Sequence, residues 1–401
     1  MSVPELRFNE FDESWSQVIL DDLAEVERGK FSVRPRNDPR YFGGKMPFVQ
    51  TGDVTGSDVY LKGFSQTLNE DGIKVSKVFP EDTILITIAA NIGDTTITQY
   101  PVACPDSVVA IQPKKELTNT IFLKNVIDLQ KDFLDSQATQ NAQKNINLQV
   151  LKPLELIVPS LKEQTKIASF LSAVDEKISQ LTQKHELLSQ YKQGMMQKLF
   201  SQQIRFKADD SSEFGEWEEV TLSKVSDVRD GTHDSPSYVK DGYPLITSKN
   251  LKNGKLDLTD INLISEDDYL NINKRSAVNI GDIIFGMIGT IGNPVLLKSD
   301  GFAIKNVALI KEKDELLNIY LIHYLNSSFF AKQVALLNTG NTQKFLALGQ
   351  IRSLSIHKPQ LAEQTKIANF LSSIDQKIEV VVQQIEQAKQ WKKGLLQQMF
   401  V

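Results

Sequence analysis

Two stretches of the chain carry apolar residues in alternating steps of four and three. The first runs Ile167, Leu171, Val174, Ile178 and Leu181, and Leu188, Met195 and Leu199 continue its phase. The second runs Ile367, Leu371, Ile374, Ile378, Val381 and Ile385, with Leu395 and Met399 continuing it. That spacing lines one face of a helix and predicts a coiled-coil seam. His185, Lys192 and Lys392 interrupt the seam, and Phe170 and Phe370 widen it beyond two helices, which predicts a further partner surface. The first helix opens on Pro159-Ser160 with Glu163 three residues on, a capping-box pattern, and Pro359-Gln360 with Glu363 is a weaker version.

The two stretches are copies. Glu163–Ile178 and Glu363–Ile378 lie 200 residues apart and agree at 12 of 16 positions. A repeat that long fixes the architecture. Weaker echoes extend it: Leu6-Arg7-Phe8 with Ile204-Arg205-Phe206, Trp15–Leu20 with Trp217–Leu222, Asp82–Asp94 with Asp282–Asn293, and Thr139–Lys144 with Thr339–Lys344. Between these anchors the halves diverge, most at 28–75 and 229–276. The order is unit, helix, unit, helix: 1–159, 160–201, 202–359 and 360–401. Short β-branched runs broken at Asn91-Ile-Gly93, and their counterparts at Ile280–Leu297, predict strands joined by tight turns, while Leu117–Leu134 and Leu316–Leu337 have helical spacing.

The expected fold class is α+β: two tandem mixed α/β domains separated by two long antiparallel coiled-coil helices, with internal pseudo-twofold symmetry. If each unit has its ends close together, one helix delivers the chain to the second unit and the other returns it. About 38 residues at ~1.5 Å each give a strut of ~55 Å. Such an object suits a pseudo-twofold partner. B-DNA is one, and two unlike halves joined by a fixed strut would read two unlike half-sites across a fixed gap. The alternative of another class is a structural adaptor joining two protein partners.

Composition narrows this. Of 401 residues, 41% are hydrophobic and 24% charged, as in globular proteins of two or three domains. One cysteine, Cys104, argues against a disulfide framework or a Cys-based metal cluster. The opening residues lack an apolar signal core and no apolar run approaches membrane length, so the expected location is cytoplasmic. A net charge of -5 does not decide the matter, because nucleic-acid binding depends on local patches.

The local patches are two. Arg28, Lys30, Arg34, Arg36, Arg40, Tyr41 and Lys45 form a basic, glycine-containing segment with one acid, Asp38. Arginines there could hold phosphate or guanine. In the second unit Thr232, His233 and Ser235 supply short polar groups at the matching place. A solvated loop or a capped turn would use the same residue types. Further candidate DNA contacts are Gln50 and Thr51, their counterparts Thr247, Ser248, Lys249 and Asn250, and the recurring polar loops with Asn141, Gln143, Lys144, Asn341, Thr342, Gln343 and Lys344. Ala89–Gly93 and Gly289–Gly292 read as structural turns. The helix-pairing or partner-facing set is Ile167, Phe170, Leu171, Val174, Ile178, Leu181, Ile367, Phe370, Leu371, Ile374, Ile378 and Val381.

Catalytic chemistry is hard to assemble. The chain lacks a Gly-x-x-x-x-Gly-Lys-Ser/Thr loop and an Asn-Pro-Pro-Tyr-like tetrapeptide, and Gly286, Gly289 and Gly292 have the wrong spacing for a dinucleotide site. Pro105-Asp106 with Gln112-x-Lys114 has a faint nuclease look, but the second unit lacks it, and a turn into a buried strand is the expected reading. The histidines do not cluster with acids at metal spacing, so neither a metal nor a catalytic residue is expected.

The doubled pattern Thr-x-x-x-Gln-Lys, Pro, then Glu-Gln-x-x-Ile-Ala-x-Phe-Leu-x-x-x-Asp-x-Lys-Ile resembles the specificity subunit of type I restriction–modification enzymes. Asp230–Pro236 and Gly242–Asn250 are similar to a segment of that family's recognition domains. The resemblance covers the whole chain. It implies two target-recognition domains that bind double-stranded DNA, with no catalytic activity of their own. Two methyltransferase subunits would dock on the helices and two restriction/translocase subunits would join them. S-adenosylmethionine, ATP and Mg²⁺ would sit on those partners, with no cofactor on this chain.

Overall fold

The computed structural model describes residues 3–138, 145–289, 291–337 and 345–400. Packing divides the chain into two units, Met1–Thr182 with Gln383–Val401, and Gln183–Val382. This differs from the four segments read off the sequence, because each long helix is shared. Helix Leu161–Phe200 begins in the first unit and ends in the second, and helix Leu361–Met399 does the reverse. At 40 and 39 residues they are each about 60 Å long.

The first unit is built on an antiparallel sheet in the order Ala24–Arg28, Val108–Pro113, Ile84–Thr87, Thr95–Ile97. Both faces are covered, which is why Ile84–Ile86 is apolar at successive positions and the whole strand is buried. Ile84 and Ile86 join a core with Phe122, Leu123, Ile167 and Leu171. Leu85 points the other way, into a smaller core with Val49, Phe79, Val102 and Cys104. A second sheet, ordered Gln66–Leu68, Phe42–Phe48, Val102–Ala103, Val78–Phe79, includes one parallel pair and encloses Phe31, Phe48 and Leu68.

The second unit repeats the first sheet as Asp227–Asp230, Val307–Lys311, Ile283–Gly286, Gly292–Leu296. Ile283 and Phe285 face the helical core while Ile284 faces the smaller one. Its second sheet is Tyr238–Val239, Asn262–Ile264, Tyr243–Ile246, Ala303–Ile304. Helix Glu266–Ser276, capped by Ser265, lies against it with Tyr269 stacked on Tyr243 at 4.0 Å. The two stretches with helical spacing are helical, each as a pair: Thr120–Leu129 and Lys131–Ser136, and Asn318–Leu325 and Ser328–Leu337.

A two-stranded ribbon brings the ends of each unit together. Ser16–Ile19 pairs with Glu155–Val158, and Glu218–Thr221 with Ser355–Lys358. The long helix leaves from the second strand of each ribbon. Its first turns are held by a buried clamp that replaces the expected capping box. Glu163 accepts hydrogen bonds from Arg7 Nε and Nη2, both at 2.8 Å, and from Trp15 Nε1 at 3.4 Å. Glu363 accepts from Arg205 at 3.0 and 2.7 Å and from Trp217 Nε1 at 2.9 Å. The adjacent Gln164 and Gln364 accept from the backbone N–H groups of Asn119 and Leu317.

Ile167, Leu171, Val174 and Leu181 are buried, as are Ile367, Leu371, Ile374 and Val381; Ile178 and Ile378 are partly so. In the first unit the opening half of Leu161–Phe200 packs with Leu395 and Met399 from the end of the other helix and with Phe400 just beyond it. In the second, Met196, Leu199 and Phe200 meet Ile367, Leu371 and Ile374. The two lysine interruptions of the seam are ion pairs: Lys392 with Asp175 at 2.6 Å in the first unit, Lys192 with Asp375 at 2.5 Å in the second. The extra width at Phe170 and Phe370 is covered within the chain. Phe170 meets Phe8 and Trp391, and Phe370 meets Phe206, edge to face.

Candidate nucleic-acid interface

In each unit the divergent loops leave the same edge of the repeated sheet. In the first unit that edge is set by the end of Ala24–Arg28, the start of Val108–Pro113 and the end of Ile84–Thr87. Three loops emerge there, 29–41, 105–107 and 88–94. They are tied at their bases, Gly29 N–H donating to Val108 O and Ile88 N–H to Ser107 O, while Asn91 Nδ2 reaches Thr55 Oγ1 of a neighbouring short helix at 3.4 Å. A Cβ on Gly29 would lie 2.3 Å from Pro105 O, so only glycine admits this approach. Gly231 stands equally close to Ile304 O, again at 2.3 Å. Asn91–Gly93 is a tight turn, with Gly93 at φ +88° and its N–H bonded to Thr87 O. The polar loops with Asn141, Gln143, Lys144, Asn341, Thr342, Gln343 and Lys344 lie outside the described residues.

The basic segment is less free than its composition suggests. Arg28 Nε donates to Asp106 O, and Arg36 pairs with the Asp106 carboxylate at 2.8 Å. Asp106, the residue with the faint nuclease look, is thus the staple of this loop. Arg34 donates to the carbonyls of Phe31 and Val33. Arg40 pairs with Asp38, whose carboxyl its hydrogen bonds hold below the usual range, and also lies over Tyr41, which packs edge to face on Phe31. Lys30 and Lys45 are exposed, and neither ammonium group has an ionic or hydrogen-bond partner among the described residues, although the Lys30 carbonyl accepts from Ser76 Oγ. Gln50 caps the short helix Thr51–Thr55 and bonds Gln66.

In the second unit the loop 231–236 is stapled as well. Lys305 Nζ donates to Ser235 Oγ at 2.7 Å, Thr232 Oγ1 accepts from Asp234 N–H, and His233 sits between Asn306 and Asp230. Two sequence candidates move from surface to frame. Asn250 is 2% exposed and bonds Thr247, Asp257 and Asp260; Ser248 is buried and donates to Asn306 O. Lys249 is exposed and pairs with Asp260.

The arrangement offers hydrogen-bonding loops on a sheet edge. Among the described residues no group of three or more His, Cys, Asp or Glu side chains could hold a metal ion. Also among them, no helix is long and apolar enough to cross a membrane.

Comparison with known proteins decides the class. The family model for the type I restriction modification DNA specificity domain matches twice, at residues 12–190 and 215–390. The chain belongs to the type I restriction–modification specificity family. Family members are non-catalytic components of their enzymes. Among the relatives, the type I restriction enzyme MjaVIII specificity subunit of Methanocaldococcus jannaschii is 26% identical, covering 96% of this chain and 91% of its own. The EcoBI specificity subunit of Escherichia coli is 20% identical over 94% of this chain and 82% of its own. The crystal structure of a type I S subunit from M. genitalium covers 100% of this chain and 99% of its own, with a TM-score of 0.65 at 17% identity. That likeness is one of fold. Each matched stretch here holds one globular part and much of one long helix.

Proposed function

We propose that this specificity-family chain reads an asymmetric, two-part DNA target, one part through each unit, and holds methyltransferase and restriction subunits around it. The observation that carries this reading is the placement of divergence. The first sheets, the ribbons and the long helices repeat between units, while the loops at the 29–45 and 231–250 edges differ in length, charge and staple. Within those edges Lys30 and Lys45 meet phosphate, and Thr232 and the arginine-bearing loop face the bases, because phosphate contacts position a protein and groove contacts specify. The two long helices act as the spacer between the two parts of the target and as the surface for partners. Tyr191 and Trp391, 200 positions apart in the repeat, are 51% and 55% exposed and offer matching aromatic anchors to two copies of one partner. S-adenosylmethionine, ATP and Mg²⁺ belong on those partners.

The test is an exchange of loops. Replacing residues 16–158 with those of another family member, followed by single-molecule methylome sequencing of the host, should change one part of the methylated sequence and leave the other intact. A change in both parts, or in neither, refutes the assignment of one part per unit.

A further inference from the structure

The second unit's edge holds a side chain with an unusual set of neighbours. His233 Nδ1 lies 2.8 Å from Asn306 Oδ1, and Nε2 lies 2.9 Å from Asp230 Oδ2. Both partners are oxygens that accept. A neutral imidazole has one N–H and could satisfy only one of them; an imidazolium satisfies both. The frame that presents these oxygens is itself fixed. Asp230 ends strand Asp227–Asp230 and also accepts from Arg275 Nη2 at 2.7 Å. Asn306 takes the left-handed backbone (φ +54°) that asparagine tolerates, donates its N–H to Thr232 O, and accepts from Ser248 Oγ through its carbonyl.

The first unit holds its edge by other means. Arg36 and Arg28 fasten loop 29–41 to Asp106, and a guanidinium keeps its charge at any working pH. The two units therefore use a permanent cation and a titratable one for the same task.

We propose that His233 is a positioning residue which, as an imidazolium, staples loop Gly231–Ser235 to Asp230 and Asn306, so that DNA reading by the second unit weakens as pH rises while reading by the first does not. This rests on the DNA reading above. The charged groups around the ring are Asp230 at the strand end, Arg275 from helix Glu266–Ser276, and Asp234 and Lys305 within and beside the loop. The Asn306 and Asp230 hydrogen bonds raise the proton affinity of His233, and burial and Arg275 oppose them. The sign follows. A group whose folded-state pKa is raised contributes in full below the ordinary histidine value, and its contribution is lost as pH climbs through the raised one. DNA affinity should fall over that window.

The experiment uses the full chain labelled with ¹⁵N-histidine. His233 is one of four histidines, so its ring signals can be assigned by substitution. Long-range ¹H–¹⁵N spectra without DNA should show His233 doubly protonated and titrating above an ordinary histidine, and Asp230→Asn should move that midpoint down. A singly protonated ring at pH 6, or an ordinary midpoint, overturns the proposal. In parallel, affinity for a duplex carrying the methylated target is measured at fixed ionic strength from pH 6 to 8.5. Losing one charge-assisted hydrogen bond predicts a drop of about tenfold in the wild type. His233→Arg should flatten that slope, and Asp230→Asn should shift it to lower pH. An affinity that does not change with pH, beside an upshifted ring, overturns the positioning role. A chain that titrates as expected but binds the duplex at no pH overturns the DNA reading, and this proposal with it.

Discussion

Removing Arg205 should loosen the second unit where its long helix begins. Glu363 is fully buried, and its three hydrogen bonds come from Arg205 and Trp217. Arg205→Ala leaves a buried carboxylate with the indole N–H as its remaining side-chain donor. Breaking a buried ion pair from one side costs about 3–5 kcal/mol, because an uncompensated charge stays inside. The Arg205 side chain is 21% exposed, so water can enter as it departs, and the lower end of that range applies. At 1.36 kcal/mol per decade, ~3 kcal/mol raises local opening by roughly two decades. Hydrogen exchange read by mass spectrometry measures this directly. Peptides covering 204–222 and 361–372 should lose protection by that factor, while 24–28 and 84–97, in the other unit, should not. The double variant with Glu363→Gln should recover much of the loss, since the amide carries no charge. An Arg205→Ala variant within about half a decade of wild type, or a double variant worse than the single one, would refute the clamp.

Two further outcomes follow from the same geometry. Lys30→Ala and Lys45→Ala should each reduce the salt dependence of DNA binding by about one phosphate contact, whereas Arg36→Ala, whose partner pair is 54% and 38% exposed, should change folding stability by no more than about 1 kcal/mol; slopes of log affinity against log salt separate these. His323 is buried beside Ser372, Asp375 and Lys192, and burial first, then Lys192, pushes its pKa down to about 4. Its folded-state value lies below the ordinary one, so the unfolded chain takes up a proton that the folded one refuses, and stability should fall as pH drops from about 6.5 toward 4. His323→Asn, copying Asn125 at the sixth position of the matching helix, should remove that component from unfolding curves measured across this range.

The chain-length periodicities were readable because they report local burial. Steps of four and three at Ile167–Leu181 are a property of one helix, and the 200-residue offset is visible by inspection. What the seam interruptions do was not readable. Lys192 meets Asp375 and Lys392 meets Asp175 across about 200 residues, and no local rule pairs them. Glu163 looked like a capping residue because a Ser stands three positions before it; its true partner Arg7 is 156 residues away. The echo of Leu6-Arg7-Phe8 in Ile204-Arg205-Phe206 was the available signal, since both the Arg and the Phe recur with the helix they touch. The internal pairing of the basic segment was hidden for the same reason. Composition counts cations, and only the fold shows that Asp38 and Asp106 already hold three of them.

The division of the chain has a bearing on its birth. The second unit is one uninterrupted stretch, Gln183–Val382. The first is not: Leu395, Met399 and Phe400 complete its core, with Phe400 against Trp15 and Phe122. A ribosome working at about 5–20 residues per second leaves roughly 10–40 s between Thr182 and Gln383. Through that interval the unit made first waits with its core unroofed, while the unit made later can close. The order of synthesis and the order of completion are therefore opposite. A nascent chain that has not yet made Leu395–Phe400 would present the Trp15–Phe122 surface to chaperones and proteases.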